Sequence, residues 1–144
     1  MAQFIFTLLG TGGDVWPGVA IAAELQRRGH AVTVLSYDYF ADEMKRAEVP
    51  FVSIGSSADY LANVTTASFW ERDSTSKGLD ENGYLRQAFR PVYDFILSRL
   101  VERPYLVCTR NAYGARFAAE KYRLPVLCLA YSSTQFASAE RFPY

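Results

Sequence analysis

One segment of the sequence carries residues that could do chemistry, the glycine-rich run GTGGDVWP between Gly10 and Pro17. Glycines let a backbone turn tightly and approach a ligand closely before a helix begins, where amide N–H groups favour an anion. Asp14 is the one carboxylate in this run. It could take a proton from a substrate hydroxyl, or it could cap the first amides of the helix, and its chemistry leaves both roles open.

This run and the residues directly after it match neither of two known nucleotide-binding motifs. The dinucleotide fingerprint G-x-G-x-x-G needs a glycine where Val15 stands. A Walker A loop needs Lys and then Ser or Thr after its last glycine, but Gly18 is followed by Val19 and Ala20. One histidine and two separated cysteines do not give the usual spacing of metal ligands, and no nucleophile–base pair for hydrolysis is visible.

The elements that must position Asp14 alternate along the chain, with short β-rich runs between longer helical patterns. This alternation predicts an α/β fold, a Rossmann-like open parallel sheet of at least five strands with helices on both faces. Strands are predicted at 4–9, 31–36, 51–54, 106–109 and 126–130. Helices are predicted from Pro17 to Gly29, and at 39–47, 83–101 and 112–122.

The expected strand order 3-2-1-4-5 places a ligand crevice beyond the carboxyl ends of strands one and four, where the order reverses. The glycine-rich run would form one wall, with Thr11, Gly12, Gly13 and Trp16 as candidate binding residues. Polar residues that follow strands four and five would form the other wall: Thr109, Arg110, Asn111, Ser132, Ser133, Thr134 and Gln135. His30 precedes strand two at the opposite end of the sheet, which favours a structural role.

The stretch 56–79 does not follow the alternation, because it is polar and only weakly periodic. Loops of this length inside compact domains are usually functional or mobile. We interpret it as a binding loop, since Phe69 and Trp70 would be costly to leave exposed without a partner. In the alternative interpretation both aromatic side chains are packed in the core.

Composition narrows the classes of partner. Fifteen basic residues balance fifteen acidic ones, so the chain lacks the charge that nucleic acid selects. The first apolar run is too short to span a membrane, and it has no basic flank or cleavage site of an export signal. Cys108 and Cys128 fall in apolar runs predicted to be buried strands, where thiols act as small hydrophobic groups. We therefore expect no disulfide framework, no transmembrane segment and a cytoplasmic location.

The runs GTGGDVWPGVAIAAELQRRGHAVTVLS and FADEMKRAEVPFVSIG resemble the N-terminal domain of GT-B glycosyltransferases. The resemblance is to the branch of sterol glucosyltransferases, rhamnosyltransferases and antibiotic glycosyltransferases, and it covers residues 4–55. It implies two Rossmann-like domains that face each other across a cleft, the first binding the acceptor and the second a nucleotide-diphosphate sugar. It also implies that Asp14 is the catalytic base of an inverting transfer without a metal, while Gly12 and Gly13 keep the backbone clear of acceptor and donor phosphate.

The resemblance predicts that residues 1–144 form the acceptor-binding domain and that the donor-binding domain lies outside this chain, in cis or in trans. We expect the isolated domain to transfer no sugar, and we expect no cofactor besides the nucleotide-diphosphate sugar as co-substrate. Tyr60, Phe69 and Trp70 indicate an apolar, ring-bearing or lipid-like acceptor, which leaves peripheral membrane association open. Two other functions stay open: a nucleotide- or dinucleotide-binding module, and a non-catalytic subunit that presents an acceptor to a split transferase.

Overall fold

The computed structural model describes residues 1–65 and 84–131, with only the backbone at 84 and 85. Five parallel strands form one sheet in the predicted order β3-β2-β1-β4-β5. Their bounds agree with the predicted runs to within two residues: β1 Gln3–Thr7, β2 Ala31–Ser36, β3 Phe51–Ser53, β4 Tyr105–Thr109 and β5 Val126–Leu129. The order reverses between β1 and β4, which pair directly with Phe6 opposite Val107.

The helices are α1 Gly12–Arg27, α2 Ala41–Arg46, α3 Ser57–Val64, α4 Tyr84–Ser98 and α5 Tyr113–Tyr122, with short 3₁₀ turns at Asp38–Phe40 and Leu100–Glu102. α1 packs on β2 and on α2, whereas α4 packs on α5 and α5 packs on β4. Right-handed crossovers place these two groups of helices on opposite faces of the sheet. No helix in the described part of the chain is long and apolar enough to cross a membrane.

The central strands are buried on both faces, which explains their nearly continuous apolar sequence. Ile5, Phe6 and Leu106 are fully inaccessible to solvent. α1 sits directly on the end of β1, since a Cβ at Gly18 would lie 2.5 Å from Cδ2 of Leu8. The start of α1 is therefore held close to the carboxyl end of β1.

The predicted start of the first helix at Pro17 is wrong, because α1 begins five residues earlier at Gly12. Thr11 has an extended backbone, and its carbonyl oxygen accepts the amide of Val15 at 3.1 Å, which is the first helical bond. Pro17 lies in the second turn, where its missing N–H leaves the carbonyl of Gly13 without a helical donor. Gly12 and Gly13 therefore form the first turn of a helix and are not part of a loop.

The stretch 56–79 was predicted to be irregular, but its first part is the helix α3. Ser56 caps this helix: its Oγ accepts the amide of Asp59 at 3.1 Å, and Oδ2 of Asp59 accepts the amide of Ser56 at 3.3 Å. Tyr60 is 4% exposed and packs against Phe40 with ring centroids 5.2 Å apart. α3 is thus docked on the core, while Phe69 and Trp70 lie outside the described residues.

The prediction that the fifth strand is buried is wrong for the described structure. Val126 is 41% exposed and Leu127 57% exposed, and Cys128 is exposed while Cys108 is buried. Within the described residues β5 has one neighbouring strand, β4, so it forms an edge of the sheet. An apolar run alone did not distinguish this edge strand from a central one.

His30 lies at the amino end of the sheet, as predicted. Its Nδ1 accepts the amide N–H of Ala2 at 3.3 Å, and its ring packs edge-on against Phe4 with centroids 5.3 Å apart. The imidazole therefore ties the start of the chain to β2, and it lies at the end of the sheet opposite to Asp14.

Candidate functional site

The turn after β1 depends on Gly10. Its φ of +131° is a backbone conformation that other residues rarely adopt. A Cβ at this position would also lie 2.7 Å from Cγ of Asp14. The position of the Asp14 carboxylate therefore depends on glycine at position 10, because any side chain there would displace Asp14.

Asp14 is half-buried at the third position of α1. Its Oδ2 accepts the backbone N–H of Thr11 at 3.1 Å and the Thr11 hydroxyl at 3.4 Å. From residues 1–65 and 84–131 its Oδ1 accepts no hydrogen bond. Asp14 thus caps the helix with Oδ2, and no residue in the described part of the chain bonds to Oδ1, so capping and proton transfer are compatible.

Two tyrosines from other parts of the chain lie close enough to Asp14 for its charge to raise their pKa. Burial is the main cause that raises the pKa of Tyr60 and of Tyr131 to about 12, and the Asp14 carboxylate adds to the shift in each. Both phenols are therefore neutral at pH 7. Tyr131 was not a predicted site residue, although it is among the first residues after β5 and so belongs to the same edge of the sheet.

Two hydroxyl side chains fix the carboxyl ends of the central strands. Oγ1 of Thr109, the last residue of β4, accepts the amide N–H of Leu9 at 3.0 Å. Oγ of Ser36, the last residue of β2, donates to the carbonyl of Leu8 at 2.7 Å. The segment that leads into Asp14 is thereby held from both neighbouring strands, at the reversal of strand order where α/β proteins bind ligands.

Arg110 and Asn111 follow Thr109, at the carboxyl end of β4 as predicted. Arg110 is exposed and Asn111 half-buried. Their carbonyl groups accept hydrogen bonds from Arg116 at 3.5 Å and from the amide of Tyr113 at 2.9 Å. Neither side chain bonds to another described residue. The predicted residues Ser132 and Thr134 lie outside the described residues.

Two exposed aromatic rings belong to the elements that follow β1 and β2. Trp16 is 58% exposed, and its indole lies over Gly12, where a Cβ would come within 2.8 Å of the ring. Tyr39 is 47% exposed and stacks on Tyr60 with centroids 4.6 Å apart. At Gly13, by contrast, the described residues leave space, since among them a Cβ would meet only Oγ1 of Thr11, at 3.9 Å. Trp16 was a predicted site residue, whereas Tyr39 was not.

Described residues offer no cluster of three or more His, Cys, Asp or Glu side chains suited to a metal ion. The site therefore consists of a carboxylate, neutral phenols, polar residues at the end of β4 and exposed aromatic rings. These groups offer a proton acceptor, polar contacts and aromatic surface.

Comparison with known proteins gives relatives of low identity. The chain is 27% identical over 132 residues to a protein of Mycobacterium bovis, which covers 88% of this chain and 31% of that protein. It is 25% identical over 134 residues to a sterol 3-beta-glucosyltransferase of Arabidopsis thaliana, which covers 86% of this chain and 21% of that protein. The chain thus spans less than a third of the length of these relatives.

Solved structures share the fold. The calicheamicin glycosyltransferase superposes with a TM-score of 0.67 at 22% identity, over 96% of this chain and 34% of that one. The spinosyn rhamnosyltransferase superposes with a TM-score of 0.62 at 14% identity, over 93% of this chain and 37% of that one. At these identities the likeness establishes the fold alone.

A family model settles the class of the domain. Residues 4–139 of the 144 match the model described as the glycosyltransferase family 28 N-terminal domain. This match extends well beyond the segment 4–55 that carries the resemblance in the sequence, and it agrees with the order of strands and helices. The chain belongs to the glycosyltransferase family 28 N-terminal domains.

Proposed function

We propose that this chain is the acceptor-side domain of an inverting, metal-independent glycosyltransferase. The enzyme would move a sugar from a nucleotide-diphosphate sugar to an acceptor hydroxyl, with the donor bound mainly by a second domain in cis or in trans. One observation carries the proposal: Asp14 is a half-buried carboxylate with one oxygen available, and it lies where the strand order reverses. Membership of the family supports the reaction class.

In the proposed reaction Asp14 acts as general base. The acceptor oxygen attacks the anomeric carbon from the face opposite to the diphosphate, and the bond from that carbon to the diphosphate oxygen breaks as the new bond forms. The hydroxyl proton passes to Oδ1 of Asp14. The bonds from the Thr11 amide and hydroxyl to Oδ2 orient the carboxylate, so that Oδ1 is the oxygen that would face the acceptor.

The surroundings of Asp14 favour an acceptor with apolar or ring-bearing parts. Trp16 and Tyr39 offer exposed ring faces, and aromatic faces contribute favourable contact area to such ligands. Arg110 and Asn111 would supply polar contacts. Gly13 borders open space, which leaves room for a phosphate or for the acceptor at the first turn of α1.

The role of Asp14 is tested by replacing it in the complete enzyme, with both domains present. We expect Asp14→Asn to lower kcat by roughly a hundredfold or more, the usual scale of general base catalysis. Asp59→Asn is the matched control, because Asp59 makes the same bonds at the start of α3. Sugar transfer is followed by release of the nucleoside diphosphate. Equal activity of the Asp14→Asn variant and the wild type would reduce Asp14 to a capping residue.

The division of labour between two domains has its own test. We expect this chain alone to transfer no sugar, since the donor would be bound by the second domain. We also expect a metal chelator to leave transfer by the complete enzyme unchanged. Transfer by the purified chain alone, or loss of transfer after chelation, would contradict the respective part of the proposal.

A further inference from the structure

Cys108 and Cys128 stand side by side on neighbouring strands. They are register partners in the β4–β5 ladder, so their side chains lie on the same face of the sheet. Their Sγ atoms are 3.7 Å apart, and both are free thiols. Neighbouring strands are about 4.8 Å apart, which lies within the Cα separation of about 4.4–6.8 Å that a disulfide spans. Small side-chain rotations can therefore bring the two sulfur atoms into bonding distance.

The two thiols differ in access to solvent. Cys128 is exposed on the edge strand, whereas Cys108 is fully inaccessible. Burial is the main cause that raises the pKa of Cys108 to about 12, and the neighbouring Cys128 adds to the shift. A small oxidant in solution can therefore reach Cys128 directly, while Cys108 reacts only with its neighbour.

We propose that Cys108 and Cys128 form a modification site, an oxidisable dithiol that a peroxide converts into a disulfide across β4 and β5. The thiolate of Cys128 attacks one peroxide oxygen, the O–O bond breaks, and hydroxide leaves and takes up a proton as water. Sγ of Cys108 then attacks the sulfenic sulfur of Cys128. The S–O bond breaks, and the Cys108 proton leaves with the hydroxyl group as a second water. Two thiols are oxidised and one peroxide is reduced.

The disulfide would join β4 and β5, the two strands that lead into the residues predicted to form the second wall of the ligand crevice. Thr109 follows Cys108 directly and holds the amide of Leu9, and Tyr131 follows closely after Cys128. In a reducing compartment such bonds are usually transient or redox-sensing. The proposal does not depend on the transferase function, since it needs only the paired thiols and one oxidant.

Intact-mass measurement of the full chain tests the proposal without any variant. The chain is treated with hydrogen peroxide, unfolded, and alkylated with iodoacetamide. We expect the mass to fall by two hydrogen atoms with neither cysteine alkylated, and dithiothreitol to restore two alkylation sites. Peptide mapping should give one linked peptide that contains Cys108 and Cys128.

Two variants separate the two steps. In Cys108→Ser, the exposed Cys128 should stop at the sulfenic acid and react with dimedone. In Cys128→Ser, the buried Cys108 should stay reduced at the same peroxide dose. The proposal is overturned if both wild-type thiols stay alkylatable at doses that oxidise glutathione, if Cys128 is oxidised to the sulfinic acid without a link, or if links form only between two copies of the chain.

Discussion

Two helices of this domain begin with the same local device at the carboxyl edge of the sheet. Gly10-Thr11-x-x-Asp14 follows β1, and Gly55-Ser56-x-x-Asp59 follows β3. In both, the carboxylate at the third helical position accepts the backbone N–H and the hydroxyl of the capping residue through Oδ2. The preceding glycine leaves space in both, for the Asp14 carboxylate at Gly10 and for a buried tyrosine ring at Gly55.

The surroundings of the two carboxylates differ. β3 is at the edge of the sheet and Asp59 is exposed, whereas β1 is at the reversal of strand order and Asp14 is half-buried. The charge of Asp59 acts on Tyr37 beside its own helix, while that of Asp14 acts on Tyr60 and Tyr131 from two distant segments. The capping box explains why each helix starts where it does, and the position in the sheet makes only one of them a candidate site.

The largest effect that we expect on stability concerns the glycine before Asp14. Gly10→Ala should lower the free energy of unfolding by about 1–3 kcal/mol, because alanine is strained at positive φ. It should also displace Asp14, since the new Cβ would meet the carboxylate. Urea unfolding of the chain measures the first effect, and kcat of the complete enzyme measures the second.

Gly13→Ala is the control in the same turn. Gly13 has no positive φ, and a Cβ there would border open space, so we expect stability to rise by at most about 1 kcal/mol. A fall in kcat/KM of this variant would then report contact with a ligand. If Gly10→Ala were as stable as Gly13→Ala, the fit between the turn and Asp14 would be wrong.

A smaller expected effect concerns the two capping boxes, which should contribute equally to the free energy of unfolding. Asp14→Asn and Asp59→Asn each remove a negative charge from a first helical turn, which costs about 0.3–1 kcal/mol. We expect the two losses to differ by no more than about 0.7 kcal/mol, the width of that range, because both carboxylates accept the amide and the hydroxyl of the capping residue. Thermal and urea unfolding of each purified variant measure these losses. If Asp14→Asn were clearly more stable than the wild type, Asp14 would not contribute to the helix as Asp59 does.

The sequence predicted the fold well because its signals are local and repeated. β-rich runs separated by helical patterns predicted five parallel strands and their order, which reverses between β1 and β4. Asp14, Trp16, Arg110 and Asn111 lie after β1 and β4 along the chain, and their roles in a ligand site stay a prediction. These predictions need only the alternation of elements and the topology of α/β sheets.

Two of the misses concern local capping boxes, and two depended on contacts between distant segments. Pro17 favoured a later helix start, but the capping box at Thr11 determined where α1 begins. Ser56 and Asp59 carried the same signal for α3, and the polar composition of their stretch concealed it. Tyr131 reaches Asp14 only in the folded chain, and the exposure of Cys128 follows from the place of β5 in the sheet.

The smallest expected effect is on the pH dependence of stability, and it differs between Asp14 and Asp59 because their charges act on different tyrosines. Burial is the main cause that raises the pKa of Tyr37, Tyr60 and Tyr131 to about 12, whereas in the unfolded chain it is near 10. Stability from these phenols is therefore complete below pH 10 and is lost as the pH rises towards 12, since the unfolded chain deprotonates first. Because Asp14 and Asp59 add to the shifts, each Asn variant should lose less stability over this range.

Asp14→Asn should have the shallower loss, because among these three tyrosines the Asp14 charge acts on Tyr60 and Tyr131, and the Asp59 charge acts on Tyr37. Urea unfolding at a series of pH values between 8 and 12 measures this difference as the slope of the unfolding free energy. The Tyr60→Phe, Tyr131→Phe double variant removes the two phenols on which Asp14 acts, so adding Asp14→Asn to it should leave the slope unchanged. Equal slopes for Asp14→Asn and the wild type would mean that the Asp14 charge does not act on these tyrosines.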